Sequence, residues 1–281
     1  MQKSKKKIDM TSKNEGERSF FYPPRDIVCT RAFSNFLLEY HSNFDCFFYI
    51  ASLAIKSDDV RVRAANLFVR HLSANASDEE RERHRKAASD LDAAWRQLRK
   101  FAPLLSRNLT NTAVSGVQRY FSEIIQTVAL KKPEILKSAQ TLRVDEILNF
   151  NNHKDLVAYL IDRKINELSY GGLDGVEEYF SDRLGIKMFT SDQQRTLLKV
   201  FFELRNINVH SGGIVNDLFL RRVGQVDGFQ FVRGECFHVD MDELEKLAGN
   251  AIQIALEVDR STASKFKLRR KAHDIWAGSR I

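Results

Sequence analysis

Apolar residues recur at intervals of three and four along most of this 281-residue chain, the period of helices packed on one side. Residues 30–55 are rich in Phe and apolar on most sides, which predicts a long helix central to the core. A second helix is expected over 58–72. Ser77-Asp78-Glu79-Glu80 reads as the start of a third, highly charged helix reaching about residue 101, with Ala88, Leu91, Trp95 and Leu98 as its narrow apolar seam. Pro103 marks a break. Helices follow over about 111–130, near 134–138 and 144–149, and over 153–168, 174–184 and 191–210, with Gly171-Gly172-Leu173-Asp174-Gly175 as a loop. Asp240 and Glu243 cap a last helix that runs to about residue 258. Residues 229–239, with Gly234 at their middle, suit one short hairpin. The fold class is therefore all-α, an elongated helical bundle with at most one short β-hairpin. Phe33, Leu37, Phe44, Phe47, Phe48, Leu160, Phe201 and Leu204 are expected to share one continuous core.

Composition narrows the setting. A hydrophobic content of 43% is ample for a core. Cys29, Cys46 and Cys236 are too few and too scattered for a disulfide framework or a zinc site, which points to a reducing, cytoplasmic compartment. The most apolar segment, 44–55, is a dozen residues long and contains Asp45, too short to span a bilayer. The Lys-rich start is not followed by the apolar stretch of a signal peptide, so no membrane partner is expected. The formal charge of +7 is unevenly placed. Lys3, Lys5, Lys6 and Lys7 supply four positive charges and Lys265, Lys267, Arg269, Arg270 and Lys271 five more; taking these nine from +7 leaves −2 for the rest. The expected organisation is a disordered basic tail at 1–19, an N-terminal helical part at 20–103 packed on the main domain, a helical domain at 104–260, and a basic C-terminal tail at 261–281. Such tails add salt-sensitive, sequence-blind attraction to nucleic acid, or serve as solubilising or address segments.

The stretch Glu203-Leu204-Arg205-Asn206-Ile207-Asn208-Val209-His210-Ser211-Gly212-Gly213 carries the candidate chemistry. Ser191 with Gln194 makes a capping-box start for its helix, and Leu197, Phe201, Leu204 and Ile207 make its apolar stripe. Gly212 or Gly213 can take the left-handed conformation that ends it. Arg205, Asn206 and His210 are thus delivered together at a helix C-terminus. A permanent cation, an amide and an imidazole are the parts needed to handle a phosphodiester. Arg-x4-His is a common spacing, and Arg233 with His238 repeats it. Five residues rotate by about 140° on an ideal helix, so Arg205 and His210 do not share a face, whereas Asn206 and His210 do. For both to act on one phosphate, the helix must unwind before His210 or a second subunit must complete the site. The bland alternative is a histidine that caps or buries a helix end, where the dipole favours imidazolium.

Around these residues the chain resembles the HEPN superfamily, an all-helical domain of many prokaryotic toxins, abortive-infection proteins and RNA-processing factors. The resemblance runs from about residue 104 to 258, through segments 114–121, 132–138 and 144–148 and above all 203–216, where Asn-Ile-Asn-Val-His-Ser-Gly-Gly-Ile-Val-Asn follows Arg205. HEPN ribonucleases carry an Arg, usually followed by a polar residue, and a His four to six residues on; Arg205, Asn206 and His210 fill those places. The resemblance implies a metal-independent ribonuclease with a dimeric composite site, a toxin or phage-defence role, and an antitoxin or other protein partner.

No cofactor or metal is called for, because the chain has no His-Glu-x-x-His, paired Cys-x-x-Cys, dinucleotide glycine motif or nucleophile elbow. Asp240, Asp242 and Glu243 cluster because a helix starts there. A Cys236–His238 nucleophile is conceivable but has no identifiable orienting group. Two functions stay open. One is an endoribonuclease acting on RNA as a homodimer, with the 2′-hydroxyl as nucleophile, His210 as acid/base, Arg205 as charge stabiliser and Asn206 as phosphate donor or orienter of His210. The other is a non-catalytic module that dimerises or binds RNA or protein, its Arg and His holding the helix end or an interface.

Overall fold

A computed structural model of the chain describes residues 23, 26–137, 141–148 and 150–278; the expected tail at 1–19 lies outside them. The described residues are mostly helical, with ten α-helices and one two-stranded sheet, so the all-α expectation holds. None of those helices is long and apolar enough to cross a membrane.

The first helix, α1 (Arg31–Leu67), begins at Thr30, whose hydroxyl accepts from the Phe33 N–H at 3.3 Å. Phe33, Phe36, Leu37, Tyr40 and Phe44 recur on one face and are buried. They pack on α4 (Ala102–Lys131), which also touches α6 (His153–Tyr179), α7 (Asp192–His210) and α9 (Met241–Phe266). Rings interlock across this junction, Phe33 on Tyr120 at 5.7 Å and Phe121 on Phe180 at 5.7 Å between centroids. Pro103 does not break a helix: it sits in the first turn of α4, where its missing N–H has no intrahelical partner to lose, so α4 starts nine residues earlier than the pattern at 111 suggests.

After Phe44 the picture departs from expectation. The helices expected at 30–55 and 58–72 are one rod, α1, continued by a π-helical turn at Phe68–Leu72. Ser57-Asp58-Asp59 resembles a helix start, but Asp58 acts across space instead. Its carboxylate accepts from the Ala94 N–H at 2.9 Å and the Trp95 N–H at 3.0 Å, and from Arg61 at 2.9 Å. Burial alone would raise the Asp58 pKa; these hydrogen bonds outweigh it and hold the group below its ordinary range. The charged segment expected as one helix to 101 is two, α2 (Asp78–Ser89) and α3 (Ala93–Arg99), folded back on α1 as a projecting arm. Phe48 is therefore 40% exposed rather than in the core, and Phe47 and Leu160 are only partly buried. At 100° per residue, Tyr49, Leu53, Val60 and Leu67 fall on the face of α1 opposite Asp58; all four are exposed.

Three further short helices complete the count: α5 (Val144–Leu148), α8 (Asp217–Val223) and α10 (His273–Gly278). The hairpin expected at 229–239 does not form. That segment hydrogen-bonds to 213–215 instead, through Val215 N–H to Glu235 O, Gly234 N–H to Val215 O and Phe237 N–H to Gly213 O, each at 2.9 Å. The sheet pairs β1 (Val28–Cys29) antiparallel with β2 (Lys271–Ala272). Residues 261–278 are thus not a tail. α9 runs to Phe266, the chain turns at Lys267 with φ 50°, and α10 docks on the start of α1.

Two buried polar contacts hold this closure. Asp259 of α9, fully buried, accepts from the Thr30 N–H at 3.0 Å and the Thr30 hydroxyl at 2.5 Å. Its burial pushes the carboxyl pKa up, opposed by those bonds. His273 Nδ1 lies 2.8 Å from Ser34 Oγ, and its backbone N–H donates to Ile27 O at 2.9 Å. Burial lowers the His273 pKa below its ordinary value, with Asp274 opposing. A histidine held neutral contributes stability that is complete above the unfolded-state value near 6.5 and is lost as pH falls from there through its folded value. Denaturant unfolding followed from pH 8 to pH 5 is expected to lose stability below about 6.5, with a flatter profile in His273→Gln. Identical slopes for the two proteins contradict this.

Candidate functional site

α7 starts at Ser191, whose hydroxyl accepts from the Gln194 N–H at 3.2 Å. The reciprocal half of the expected capping box is replaced: Gln194 Oε1 accepts from the Thr190 N–H and hydroxyl, both at 2.9 Å. The predicted stripe of Leu197, Phe201, Leu204 and Ile207 is buried. The far side of the helix therefore faces outward, and on it Lys199, Glu203, Asn206 and His210 fall within about 60° of one another.

That face forms one wall of a cleft of about 620 Å³. The other walls come from α8, from Gln118 of α4, and from 169–174 of α6. The break expected at 171–175 is present but narrow: two helical stretches of α6 meet at Gly172, whose backbone is not helical (φ 63°, ψ −160°). Arg205, Asn206 and His210 all line this cleft. α7 stays helical through His210, so no unwinding brings them together. The long Arg205 side chain reaches round instead, and its Nη1 donates to Asn206 Oδ1 at 3.4 Å. His210 is exposed; Arg205 and Asn206 are half-buried.

The charges in the cleft are unequally matched. Arg222 donates to both oxygens of Glu203 at 3.2 Å, and the Glu203 side chain is only 14% exposed. Lys199 stands 4.0 Å from Asp174, whose other oxygen takes Arg195 at 2.7 Å. Arg205 has no carboxylate partner among the described residues, and its Nε is buried without a hydrogen-bond partner. A half-buried guanidinium without a counter-charge is a poor arrangement for stability alone and a suitable one for an arriving anion.

The end of α7 is bolted down. The backbone takes φ 61° at Gly212 and 87° at Gly213, so both glycines, not one, adopt the conformation that L side chains rarely take. Arg107 of α4 donates to Gly212 O at 3.0 Å, Cys236 Sγ approaches the same carbonyl at 3.4 Å, and Asn208 pairs with Asn111 at 3.2 Å. The second Arg-x4-His plays no part in the cleft. Arg233 pairs with Asp217 at 2.8 Å, and Arg233, Cys236 and His238 do not line it. Asp240 and Glu243 form the expected capping box. Among the described residues no three His, Cys, Asp or Glu side chains cluster as metal ligands.

Lys199, Glu203 and Arg222 join the cleft beyond the motif residues. Lys199 and Glu203 share the helical face of Asn206 and His210, which the 3.6-residue period encodes; Arg222 reaches the cleft through the position of α8. Compared with family models, curated proteins and solved structures, the chain matches none.

Gly213 is the position most sensitive to a single atom. A Cβ there would meet Cys236 Sγ at 3.1 Å and Asn208 Oδ1 at 3.3 Å in a strained backbone. Gly213→Ala is expected to lower stability by about 1–3 kcal/mol in chemical denaturation, whereas Gly234→Ala, with open space around its Cβ, carries only the backbone part of that cost. Equal losses for the two contradict the crowding argument.

Proposed function

We propose that this protein is a metal-independent endoribonuclease of HEPN type, working on RNA as a homodimer, in keeping with the toxin or phage-defence role that the resemblance implies. The observation that supports this reading is the meeting of Arg205, Asn206 and His210 in one cleft, with the Arg205 charge unmatched. RNA brings its own nucleophile. The 2′-oxygen attacks the adjacent phosphorus as its proton leaves; the bond from phosphorus to the 5′-oxygen breaks, and that oxygen takes up a proton. The products are a 2′,3′-cyclic phosphate and a 5′-hydroxyl. His210 performs one of the two proton transfers, since an exposed imidazole can give or take a proton at a ring nitrogen. Arg205 offsets the charge gathering on the non-bridging oxygens. Asn206 holds the guanidinium and, one turn from His210, offers an amide to the phosphate.

One histidine per cleft accounts for one proton transfer, and a second copy bringing its own His210 accounts for the other. Val209, Ile214 and Leu218, exposed around this end of α7, are apolar surface suited to such an approach. Light scattering at tens of micromolar is expected to give a dimer, and Val209→Asp with Leu218→Asp is expected to yield monomers of low activity. A strict monomer with full activity overturns the composite site.

The chemistry has its own test. His210→Ala is expected to slow cleavage of labelled RNA by about 10²–10⁴-fold, and Arg205→Ala by about 10²–10³-fold, with little change in stability. Cleavage is expected to survive EDTA, to leave 2′,3′-cyclic phosphate ends and to stop at a 2′-deoxy substitution. Arg233→Ala and His238→Ala are expected to cut normally. Cleavage that persists in His210→Ala, or that requires a divalent metal, overturns the mechanism.

A further inference from the structure

The basic segment near the C-terminus, rather than trailing, is built into the end of the bundle remote from the mouth of the cleft. Arg107 and Asn111 at the start of α4 hold the His210 end of α7. At the other end of α4, Lys131 Nζ donates to Lys267 O at 2.6 Å. The two contacts are separated by about 36 Å of helix. Lys265 Nζ donates to Gly185 O at 3.0 Å. Lys271 Nζ lies 4.9 Å above the Trp276 ring and the Arg269 guanidinium 6.0 Å from it. Trp276 is itself anchored by its indole N–H to Cys29 O at 3.0 Å.

Lys131, Lys132, Lys265, Lys267, Arg269 and Lys271 thus crowd one end of the molecule. Among the described residues none of them has a carboxylate partner; where a contact holds them it is a backbone carbonyl or a ring. Elsewhere the chain pairs its arginines with acids freely, as at Arg195 and Arg222. Lys265, Lys267, Arg269, Arg270 and Lys271 are one of the two basic clusters without which the sequence carries a net −2, and Lys131 and Lys132 add two cations beside them. Cations fixed in advance lose less freedom on binding than cations on a loose tail.

We propose that this end is a second RNA-binding surface, a platform that grips the phosphate backbone without reading sequence. Choosing RNA among polyanions rests on the ribonuclease reading. Exposed Leu130 and Ile275 add too little apolar area to hold a bilayer surface. An RNA engaged at both places must cover tens of ångströms; at about 3.4 Å per stacked nucleotide that is on the order of ten nucleotides. Long substrates therefore gain from the platform and dinucleotides do not.

The test uses the full chain carrying His210→Ala, so that cleavage does not interfere, with a labelled 20-nucleotide single-stranded RNA in EDTA over a series of salt concentrations. Lys132→Gln, Lys267→Gln and Arg269→Gln are combined, since the structure gives none of these side chains a hydrogen bond. Three lost phosphate contacts at about 0.7 each are expected to reduce the slope of log K against log salt by about 2. A companion protein with Lys132→Arg and Lys267→Arg is expected to keep the slope. On the cleaving background, the triple variant is expected to lose efficiency on the 20-mer through KM while cutting a dinucleotide like the parent. An unchanged slope in a triple variant of native circular dichroism overturns the platform, as does preferential binding to anionic vesicles. A parent that never cuts RNA, with the slope still falling by about 2, overturns the ribonuclease reading and leaves the platform standing.

Discussion

α4 is the wall on which the rest of the molecule is assembled. One helix of 30 residues offers separate faces to α1, α6, α7 and α9, and each of those helices is positioned by the side chains it can bury there. Tyr120, Phe121, Ile124, Ile125 and Val128 are almost wholly removed from water, so this junction contributes strongly to hydrophobic stabilisation. The cleft is a by-product of the same packing. Because α7 must bury Leu197, Phe201, Leu204 and Ile207, its opposite face, with Lys199, Asn206 and His210, is left to the solvent. Gln118 of α4 closes one side, and Arg107 fixes where the helix may end.

Charge pairing separates Arg205 from its neighbours. Arg195, Arg222 and Arg61 each have carboxylates at hydrogen-bonding distance, so their charges are spent on holding helices together. Arg205 keeps its charge, its nearest polar contact being the neutral Asn206 amide. A cation restrained by an amide but not neutralised by an acid is pre-oriented toward the cleft and free to meet an anion there. The platform at the far end of α4 follows the same logic on a larger scale, with backbone carbonyls and an indole ring in place of Asn206.

The parts of this architecture that were legible in the sequence are those fixed by local periodicity. The stripe on α7, its serine cap, the glycine stop and the Asp240–Glu243 capping box all follow from residues a few positions apart. The misreadings have a common origin in contacts between distant residues. Ser57-Asp58-Asp59 looks like a helix start until α3 presents its N–H groups to Asp58. Residues 229–239 look like a hairpin until the backbone of 213–215 takes their hydrogen bonds. Residues 261–281 look like a tail because of the basic run at 265–271, yet Thr262, Ala263 and His273 are buried and His273 meets Ser34 of α1. Arg205, Asn206 and His210, singled out by their spacing, line one cleft; the two carboxylate pairs and the walls from α6 and α8 depend on tertiary packing that no spacing encodes.

The long first helix has a mechanical consequence. Its first half is locked among aromatic rings, its second half carries α2 and α3, and no Gly or Pro interrupts it between Arg31 and Leu67. It has no built-in hinge, so it behaves as a stiff lever whose fulcrum is Phe44. The free length from there to Leu67 is about 35 Å, and a tilt of only about 5° at the fulcrum would swing the tip through roughly 3 Å. Load applied at the tip is therefore felt as torque on the Phe33–Tyr120 contact deep in the bundle, while the amides of α2 and α3, with few buried apolar neighbours, are free to exchange with solvent by local opening that leaves that contact undisturbed.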